Sequence, residues 1–402
     1  MKIVHIATTT SGGAGIAARR LNASLKFAGI DSVLITGTSR AKSPRENEKV
    51  IGKTTLQRIL SKALTYIQSR VIQSDKYLVT ALSIRVLSLD VIRNENPDII
   101  HIHSTYNFLD SDSILELCNL GRPVFLTLHD ERFFTGGCHQ SFECTKYQDS
   151  CKQCPYVNKP FSRLPRAELL SIKNGYGNHS NLSVIAPSEW IYNKARESAV
   201  MRQSSIVRIY NAIDNIYAQE LPMVVKSRSK FVVTFVAQEL RNEYKGFDTL
   251  LNCMSAFYSE FKAQEIEFQF VGQGKKVNIK DLVYRQYSKI DEAEMKNIYL
   301  DTDLLIVPSS ADNSPNIIFE ALACGVPFVG SDRGGIPELA AFFNMEIFEY
   351  GNSASMYNAI IKQKIKAHDP KSLREKVLSL TDPERVAKRH LELYKSKLMS
   401  AD

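Results

Sequence analysis

The chain has 402 residues, of which 44% are hydrophobic and 23% are charged, and its formal net charge at pH 7 is +8. This length exceeds what one ordinary core supports, and the composition is that of a globular protein, so we expect two domains of roughly 180–200 residues. The moderate positive charge suits anionic substrates or an anionic membrane surface more than it indicates nucleic-acid binding.

The sequence shows no targeting or membrane-spanning signal. No run of eighteen apolar residues occurs, and the first six residues, Met-Lys-Ile-Val-His-Ile, have the pattern of a strand rather than of a signal peptide. The protein is therefore expected to be cytoplasmic. Seven cysteines, an odd number in a chain without a signal, argue against a disulfide framework.

Short apolar runs alternate with helical stretches along the whole chain, which is typical of parallel α/β layers. The predicted strands of the first half are Lys2–Ala7, Ser32–Thr36, Ile99–His103, Pro123–Leu128 and Ser183–Ala186. Those of the second half are Phe231–Ala237, Ile266–Val271, Asp303–Val307, Pro327–Gly330 and Glu346–Phe348. Two series of similar size predict two Rossmann-like domains whose parallel sheets face a central cleft at the carboxyl ends of the strands.

The domain boundary is predicted near residues 211–228, where periodic apolar positions are few and Pro222 interrupts the chain. We therefore assign residues 1–210 to an N-terminal domain and residues 211–381 to a C-terminal domain. Residues 382–402 form the last predicted helix.

Residues 53–93 read as a basic helical region within the first domain. Its basic residues are Lys53, Arg58, Lys62, Arg70, Lys76, Arg85 and Arg93. Its apolar residues, which recur at helical spacing, include Ile59, Leu60, Ala63, Leu64 and Ile67. Such a helix can lie on an anionic membrane, where a lipid-linked acceptor would be found. The alternative is an ordinary helix pair that covers the first sheet and turns a basic face to solvent.

A glycine-containing turn, Thr8 to Gly15, follows the first strand, and a helix is predicted from about Ile16. Glycines at a strand-to-helix turn let the backbone approach a ligand closely, and the start of a helix favours an anion. Gly12 and Gly13 are therefore candidate ligand-binding residues, with a packing role as the alternative.

Three histidines lie near the ends of predicted strands. His101 and His103 belong to one run and are interpreted as core or supporting residues. His129 ends the next apolar strand, which places it at the ligand-binding edge of a parallel sheet. A structural role is the alternative for His129.

The run Asp110-Ser111-Asp112 has the form of a metal-binding Asp-x-Asp. It directly precedes an apolar helix, however, and carboxylates at that place cap the helix N-terminus. We therefore interpret Asp110 as a capping residue.

Four cysteines, Cys138, Cys144, Cys151 and Cys154, crowd into the segment 138–154 with the spacing Cys-x5-Cys-x6-Cys-x2-Cys. Four thiolates on a loop suit a tetrahedral structural zinc ion, and with all four positions filled by protein no zinc catalysis is expected. Free thiols and disulfides are the alternatives. His139 is a competing ligand, immediately beside Cys138.

Lys245-Gly246 follows a strand and a loop and precedes a helix that begins at Phe247. A lysine there can neutralise the charge that develops on a departing diphosphate. Arg241 is the nearby cation that could assist it.

Residues 303–338 contain an apolar strand, a polar loop with Asp312, and an Ala/Leu-rich helix that opens near Pro315 and carries Glu320. The start of such a helix presents free backbone N–H groups and a positive dipole end to a phosphate. A carboxylate beside it can accept sugar or ribose hydroxyls. The segment therefore indicates a nucleotide-sugar site, the alternative being that Asp312 and Asn313 are merely turn and cap residues.

This segment closely resembles the Glu-x7-Glu signature of the retaining GT-B glycosyltransferases of family 4, with Asp312 in place of the first Glu. The resemblance implies that Glu320 contacts the nucleotide ribose and that Asp312 lies by the donor sugar. The remaining donor-binding candidates of the same loop and helix start are Asn313, Ser314 and Asn316.

Other motifs match this family in chain order. His129 stands in its Thr-x-His, whose imidazole contacts the donor sugar, and Lys245 in its Arg…Lys-Gly pair, although the arginine position holds Gln238 or Glu239. The remaining matches are the glycine loop with Gly12 and Gly13, the Val-Gly-x-Gly turn with Gly272 and Gly274, and Asn211-Ala212-Ile213-Asp214 at the entry to the second domain.

The resemblance implies a GT-B enzyme that moves a sugar, with retention, from a UDP- or GDP-linked donor to a glycan or an undecaprenyl-diphosphate-linked acceptor. Its catalytic residues would be His129, Lys245, Asp312 and Glu320. The family's fold would place the last helix on the first domain and needs no catalytic metal, so zinc would be structural. The Asp-Asn-x-Pro-Asn form and the cysteine-rich insert resemble the colanic-acid and exopolysaccharide branch, which implies surface polysaccharide biosynthesis.

Three alternatives remain open at this point. A glycan phosphorylase or a nucleotide-sugar epimerase can use the same fold. A zinc-knuckle nucleic-acid-binding protein would draw on the basic charge and the four cysteines, but the sequence lacks a Lys/Arg stripe with interleaved aromatics around them. We expect no nucleic-acid partner, and at most a peripheral position on the inner face of the membrane.

Overall fold

The computed structural model describes residues 1–38, 47–73, 78–221, 229–274, 282–288 and 290–399. Residues 222–228 of the predicted boundary segment, and Lys76 of the basic region, lie outside the described residues. The chain divides into two compact units, which we call unit 1 (Met1–Ala212 with Glu384–Asp402) and unit 2 (Ile213–Pro383).

Unit 1 is built on a seven-stranded parallel sheet. Its strands are β1 (Lys2–Thr9), β2 (Asp31–Thr38), β3 (Glu48–Val50), β4 (Ile99–Ile102), β5 (Val124–Thr127), β6 (Leu182–Ala186) and β7 (Ile206–Arg208). Their order across the sheet is β3-β2-β1-β4-β5-β6-β7, and every pair is parallel. The central strands β4, β5 and β6 are buried along their whole length, which explains why they read as continuous apolar runs.

The helices of unit 1 flank this sheet. They are α1 (Gly12–Phe27), α2 (Thr55–Val71), α3 (Leu89–Glu95), α4 (Ser111–Cys118), α5 (Leu164–Asn174) and α6 (Glu189–Glu197), together with the last helix of the chain, α15 (Pro383–Leu398). Val386 and Tyr394 of α15 share an apolar cluster with Ile3 of β1 and Phe125 of β5. The C-terminal helix is thus part of the core of unit 1.

Unit 2 repeats this plan with six parallel strands. They are β8 (Phe231–Glu239), β9 (Ile266–Gln273), β10 (Tyr284–Tyr287), β11 (Leu304–Val307), β12 (Phe328–Ser331) and β13 (Ile347–Phe348), in the order β10-β9-β8-β11-β12-β13. Its helices are α7 (Asn215–Ala218), α8 (Phe247–Ala256), α9 (Tyr258–Ala263), α10 (Glu292–Leu300), α11 (Asn316–Ala323), α12 (Ile336–Phe343), α13 (Ser353–Ile365) and α14 (Pro370–Thr381).

The predicted fold class, α/β with two Rossmann-like domains, is confirmed, and each of the ten predicted strands is present. Three strands were missed: β3, β7 and β10. Each is short and lies at the edge of its sheet, and none contains a run of buried apolar residues.

The prediction for Asp110 is also confirmed, because its carboxylate accepts a hydrogen bond from the Ser113 N–H at 2.8 Å as the N-cap of α4.

The predicted helical region 53–93 is only partly helical. Helix α2 begins with a capping box between Thr54 and Gln57, and α3 begins at Leu89, but residues 78–88 between them form neither helix nor strand. Residues 78–88 are partly buried in unit 1, where Val79 pairs with Cys138 in an isolated antiparallel bridge and Leu87 joins the apolar core.

Helix α2 turns its apolar side outward. The exposed fractions are 65% for Leu56, 60% for Ile59 and 46% for Ile67, whereas the polar residues Ser61 and Gln68 are buried. The alternative in which these apolar positions cover the sheet is therefore wrong. No helix among the described residues is long and apolar enough to cross a bilayer.

Candidate functional site

A lysine and an aspartate meet at the carboxyl edge of the unit 2 sheet. The Lys245 Nζ atom donates to the Asp312 Oδ2 atom at 2.6 Å, and the Ser309 hydroxyl donates to the same oxygen at 3.1 Å. Both side chains of the ion pair stay partly accessible, with exposed fractions of 32% for Lys245 and 16% for Asp312. The structure thus brings together two of the residues predicted to be catalytic.

Two glycines make this meeting possible. Gly246 has a φ of +72°, and a Cβ there would lie 1.8 Å from the Pro308 carbonyl oxygen, so only glycine lets the turn after Lys245 press against the end of β11. Gly334 has a φ of +65°, and its Cβ would lie 2.1 Å from the Asp312 carbonyl oxygen. That carbonyl accepts the N–H of Gly335 at 2.8 Å, which fixes the backbone of the loop.

Helix α11 begins beside this ion pair without a side-chain cap. Its N-cap residue is Pro315, which contributes no capping hydrogen bond, and Asn316 is its first residue. The Ser314 hydroxyl oxygen is shielded from solvent and has no hydrogen-bond partner. The first backbone N–H groups of a helix have no partner within the helix. Together with the Ser314 hydroxyl, they can donate hydrogen bonds to a phosphate group. Asn313 lies in the same loop, half-buried.

Glu320 lies one turn into α11 and is 7% exposed. The Tyr299 hydroxyl of α10 donates to its Oε2 atom at 3.0 Å. Burial, and after it the Glu320 carboxylate, raises the pKa of Tyr299 well above its usual range, so this phenol stays a donor at neutral pH. Sequence reasoning missed Tyr299, because nothing local connects it to a carboxylate twenty-one positions later.

The other donor-binding candidates of unit 2 differ in position. Gly272 lies within β9, where a Cβ would meet the Ala237 carbonyl oxygen at 2.2 Å, so close strand packing explains this glycine. Gly274 follows β9 directly and faces Leu240. Arg241 is exposed, and its guanidinium lies 3.9 Å from Asp248, so the structure does not bring it to the Lys245–Asp312 pair.

In unit 1 the glycine turn forms the start of α1. The helix begins at Gly12, four residues earlier than predicted, and a Cβ at Gly12 or at Gly13 would meet no atom within 4 Å. The space next to both residues is therefore open. Gly15 is the packing glycine, since its Cβ would lie 2.2 Å from the Thr9 carbonyl oxygen. The sequence alone did not distinguish Gly15, which has a packing role, from Gly12 and Gly13, beside which the space is open.

A line of hydrogen-bonded imidazoles runs from His129 into the core of unit 1. The His129 Nε2 atom lies 3.1 Å from His103 Nδ1, and His103 Nε2 lies 3.0 Å from His5 Nδ1. The parallel register of β1 and β4, which pairs His5 with His101, brings these histidines together. Sequence reasoning missed His5, because the partner of β1 cannot be read from β1 itself.

Burial keeps these imidazoles neutral at neutral pH. It lowers the pKa of His129 to about 4 and that of His5 to about 3, and it lowers the pKa of His103 well below the usual range. His101 is neutral for the same reason and uses both nitrogens, with Tyr394 Oη at 2.6 Å and Thr127 Oγ1 at 2.7 Å. Neutral imidazoles can orient a ligand through hydrogen bonds but carry no charge of their own.

The four clustered cysteines come together in unit 1. Cys138, Cys144, Cys151 and Cys154 line one small cavity, and none of them is in a disulfide. The backbone between residues 128 and 163 contains only three short 3-10 turns, at Arg132–Phe134, Lys146–Gln148 and Lys159–Phe161. The disulfide alternative is thus not realised in this structure.

Comparison with known proteins places these features in one family. A model described as Glycosyltransferase Family 4 matches residues 11–215, and one described as Glycosyl transferases group 1 matches residues 230–363. The putative colanic acid biosynthesis glycosyl transferase WcaC of Escherichia coli K12 is 24% identical over 264 residues. The match covers 62% of this chain and 63% of WcaC.

Solved structures share the fold over nearly the whole chain. A sucrose-phosphate synthase from Thermosynechococcus elongatus is 17% identical with a TM-score of 0.66, and each chain is covered in full. Anabaena HepE, solved in complex with UDP-glucose, is 16% identical with a TM-score of 0.62, covering 98% of this chain and 100% of HepE. At these identities the likeness establishes the GT-B fold.

Proposed function

The chain belongs to glycosyltransferase family 4, and from this premise we propose that it transfers a sugar from a nucleotide-sugar donor to a growing glycan. The observation that carries the proposal is the Lys245–Asp312 ion pair beside the uncapped start of α11, with Glu320 one turn further on. This arrangement combines a cation, the backbone N–H groups of a helix start for phosphate, and two carboxylates for hydroxyl groups. The nucleic-acid-binding alternative is dropped, because family models cover most of both units.

The donor is a nucleoside diphosphate sugar. Its diphosphate binds at the start of α11, where backbone N–H groups and the Ser314 hydroxyl are the donors, and Lys245 neutralises the charge that develops as the diphosphate leaves. Glu320 accepts hydroxyls of the ribose and Asp312 accepts a hydroxyl of the transferred hexose. The fold shared with HepE, which was solved with UDP-glucose, favours a UDP-linked donor.

The transfer retains the configuration at the anomeric carbon. The bond from that carbon to the diphosphate oxygen breaks, the bond to the acceptor hydroxyl oxygen forms on the same face, and the acceptor proton passes to the departing diphosphate oxygen. No protein base is needed for this proton. His129, held neutral and hydrogen-bonded to His103, orients the sugar and stabilises the positive charge that develops on it. Because α11 and Lys245 bind the diphosphate, the reaction needs no catalytic metal.

The acceptor belongs to surface polysaccharide biosynthesis. The similarity to WcaC, named for colanic acid biosynthesis, supports this process, and an undecaprenyl-diphosphate-linked oligosaccharide is the acceptor that fits it. Such an acceptor lies at the inner face of the cytoplasmic membrane.

Helix α2 is the part of the chain suited to reach that membrane. Its exposed apolar side carries Leu56, Ile59, Leu60 and Ile67, and its charged residues are Arg58, Lys62 and Arg70, with no acidic residue. A basic helix with an outward apolar side lies in the headgroup region of an anionic bilayer. We therefore place α2 on the membrane, with the protein bound peripherally.

A donor screen that follows nucleoside diphosphate release tests the proposed function. The full-length protein is incubated with UDP- and GDP-linked hexoses, with and without an undecaprenyl-diphosphate-linked acceptor, and the anomeric configuration of the product is read by NMR. Release that requires the acceptor, with retained configuration, supports the proposal. Release of diphosphate without acceptor, interconversion of the donor sugar, or use of inorganic phosphate would instead indicate an epimerase or a phosphorylase.

A further inference from the structure

Four cysteine side chains line one small cavity in unit 1. Cys138, Cys151 and Cys154 are at most 9% exposed and Cys144 is half-buried, and all four line a cavity of about 10 Å³, room for a single atom-sized guest. The other three cysteines lie elsewhere: Cys118 is in α4, Cys253 is in α8, and Cys324 is the C-cap of α11.

Backbone N–H groups are directed at three of the four sulfurs. The Cys144 sulfur accepts from the N–H of Lys146, the Cys151 sulfur from that of Gly136, and the Cys154 sulfur from those of Tyr156 and Val157. Hydrogen bonds of this kind orient and stabilise thiolate ligands around a metal ion.

The local backbone is bent so that the last two sulfurs face the same cavity. Cys151 and Gln153 have φ angles of 50° and 54°, in the left-handed region that non-glycine residues rarely adopt. Such residues persist only where the surroundings hold them. No α-helix or strand lies between residues 128 and 163 of the described chain; isolated β-bridges, of Val157 with Ile72 and of Cys138 with Val79, join this segment to its neighbours.

From this donor set we propose that Cys138, Cys144, Cys151 and Cys154 bind one zinc ion in a closed tetrahedral site. Four sulfur ligands without a position for water or substrate are typical of structural zinc. His139 is not a ligand, because its Nδ1 lies 2.6 Å from Asp130 Oδ2 and its Nε2 lies 3.0 Å from Thr80 Oγ1.

Binding draws the sulfurs closer together. Among the described residues, the only three possible metal ligands whose donor atoms lie within 4.8 Å of one another are His5, His101 and His103, so no three of the four sulfurs are that close together. Zinc–sulfur bonds of about 2.3 Å need a tighter arrangement of the thiolates. Rotation about χ1 moves a cysteine sulfur between staggered positions without moving the backbone. Cys138 and Cys154 are already in hydrogen-bonding contact.

The zinc ion anchors the segment that follows His129. This segment is joined to the end of α2, because the Tyr156 carbonyl accepts the Gln73 N–H at 3.0 Å and Val71 packs in one cluster with Cys138 and Cys154. A metal ion bound by the four cysteines would therefore stabilise both the segment after His129, beside the proposed sugar site, and the C-terminal end of α2.

Metal content of the full-length protein tests the proposal. The protein is expressed with added zinc, purified without chelators or a polyhistidine tag, and measured by elemental analysis and zinc K-edge absorption spectroscopy. We expect about one zinc per chain with four sulfur neighbours at about 2.3 Å. Cys151→Ser and Cys154→Ser should lose most of the zinc, whereas Cys253→Ser, a buried cysteine of unit 2, should keep it.

A second measurement on the wild type covers the case in which the serine variants do not fold. Titration with a mercurial that modifies thiols should release the zinc stoichiometrically, and chelation should lower the midpoint of thermal unfolding. Purified protein that contains no zinc and takes up none under reducing conditions would overturn the proposal. So would iron in place of zinc, or an intact mass lowered by disulfide formation. None of these readouts depends on transferase activity.

Discussion

The ammonium group of Lys245 lies 2.6 Å from the carboxylate of Asp312, although 67 positions separate the two residues in the chain. Each neutralises the other, so the diphosphate of an arriving donor would compete with Asp312 for the ammonium group. The released carboxylate would then be available to a sugar hydroxyl. The ion pair therefore couples donor binding to the arrangement of both proposed catalytic side chains.

Replacing Lys245 or Glu320 by alanine should nearly abolish transfer while the fold stays intact. Loss of one group that stabilises a developing negative charge costs about 10²–10³ in kcat, which is the effect we expect for Lys245→Ala. Steady-state turnover measures it, and circular dichroism checks the fold. Arg241→Ala is the matched control, because the Arg241 side chain is exposed and its guanidinium lies near Asp248 rather than Asp312. Wild-type turnover in Lys245→Ala or Glu320→Ala would refute the site assignment.

His103→Phe should lower kcat by about tenfold with little change in the KM for donor. The substitution removes the hydrogen bond that orients His129, and loss of about 1.4 kcal/mol corresponds to a factor of ten in rate. His103→Gln, whose side-chain amide can both donate to and accept from His129, should restore part of the activity. Equal stability of the two variants together with unequal kcat would show that the effect acts through His129. Unchanged kcat in His103→Phe would exclude this role.

Unit 1 should lose stability as the pH falls from about 6.5 toward 4. His390 of α15 is buried, with its ring centroid 5.9 Å from that of His101. Burial lowers the pKa of His5 to about 3 and those of His129 and His390 to about 4, whereas these residues titrate near 6.5 when unfolded. Below pH 6.5 the unfolded chain therefore binds more protons, so the free energy of unfolding decreases as the pH falls. Each such histidine contributes a slope of up to about 1.4 kcal/mol per pH unit.

Denaturant unfolding followed at several pH values measures this slope. His390→Leu should make it shallower, because one buried neutral imidazole is removed. His179→Gln is the control, since His179 lies outside the imidazole cluster and contacts Asn119 near the surface. A slope that is unchanged by His390→Leu would contradict the assignment.

Placing acidic residues on the outer side of α2 should weaken membrane binding without destabilising the protein. Ile59 and Leu60 are 60% and 49% exposed, so Ile59→Glu with Leu60→Glu disturbs little packing in the free protein. Each aliphatic side chain that enters the bilayer contributes about 1.5–3 kcal/mol, so we expect at least a tenfold loss of binding to vesicles with anionic lipids.

Co-sedimentation with vesicles of neutral and anionic composition measures this binding. Ile365→Glu serves as the control, because Ile365 is 79% exposed but lies at the end of α13 in unit 2. Equal binding of the α2 variant and the wild type would remove the membrane proposal. Self-association that the α2 variant abolishes would point to a second copy of the chain as the occupant instead.

The sequence by itself determined the features that depend on local order. Buried parallel strands are largely apolar, so ten of the thirteen described strands were recognisable from the sequence. The loop with Asp312 and the helix with Glu320 follow one strand within seventeen residues, so the geometry of strand, loop and helix start was predictable from spacing alone. Capping by Asp110 was predictable for the same reason.

Only the tertiary structure decided which distant residues touch and which side of an element is buried. The contacts of Lys245 with Asp312 and of Tyr299 with Glu320 depend on strand order, and the imidazole line from His129 to His5 depends on the register of neighbouring strands. Periodicity showed that α2 has an apolar side but not that this side faces outward. Periodicity reports a pattern within one element, whereas burial depends on what the rest of the chain packs against it.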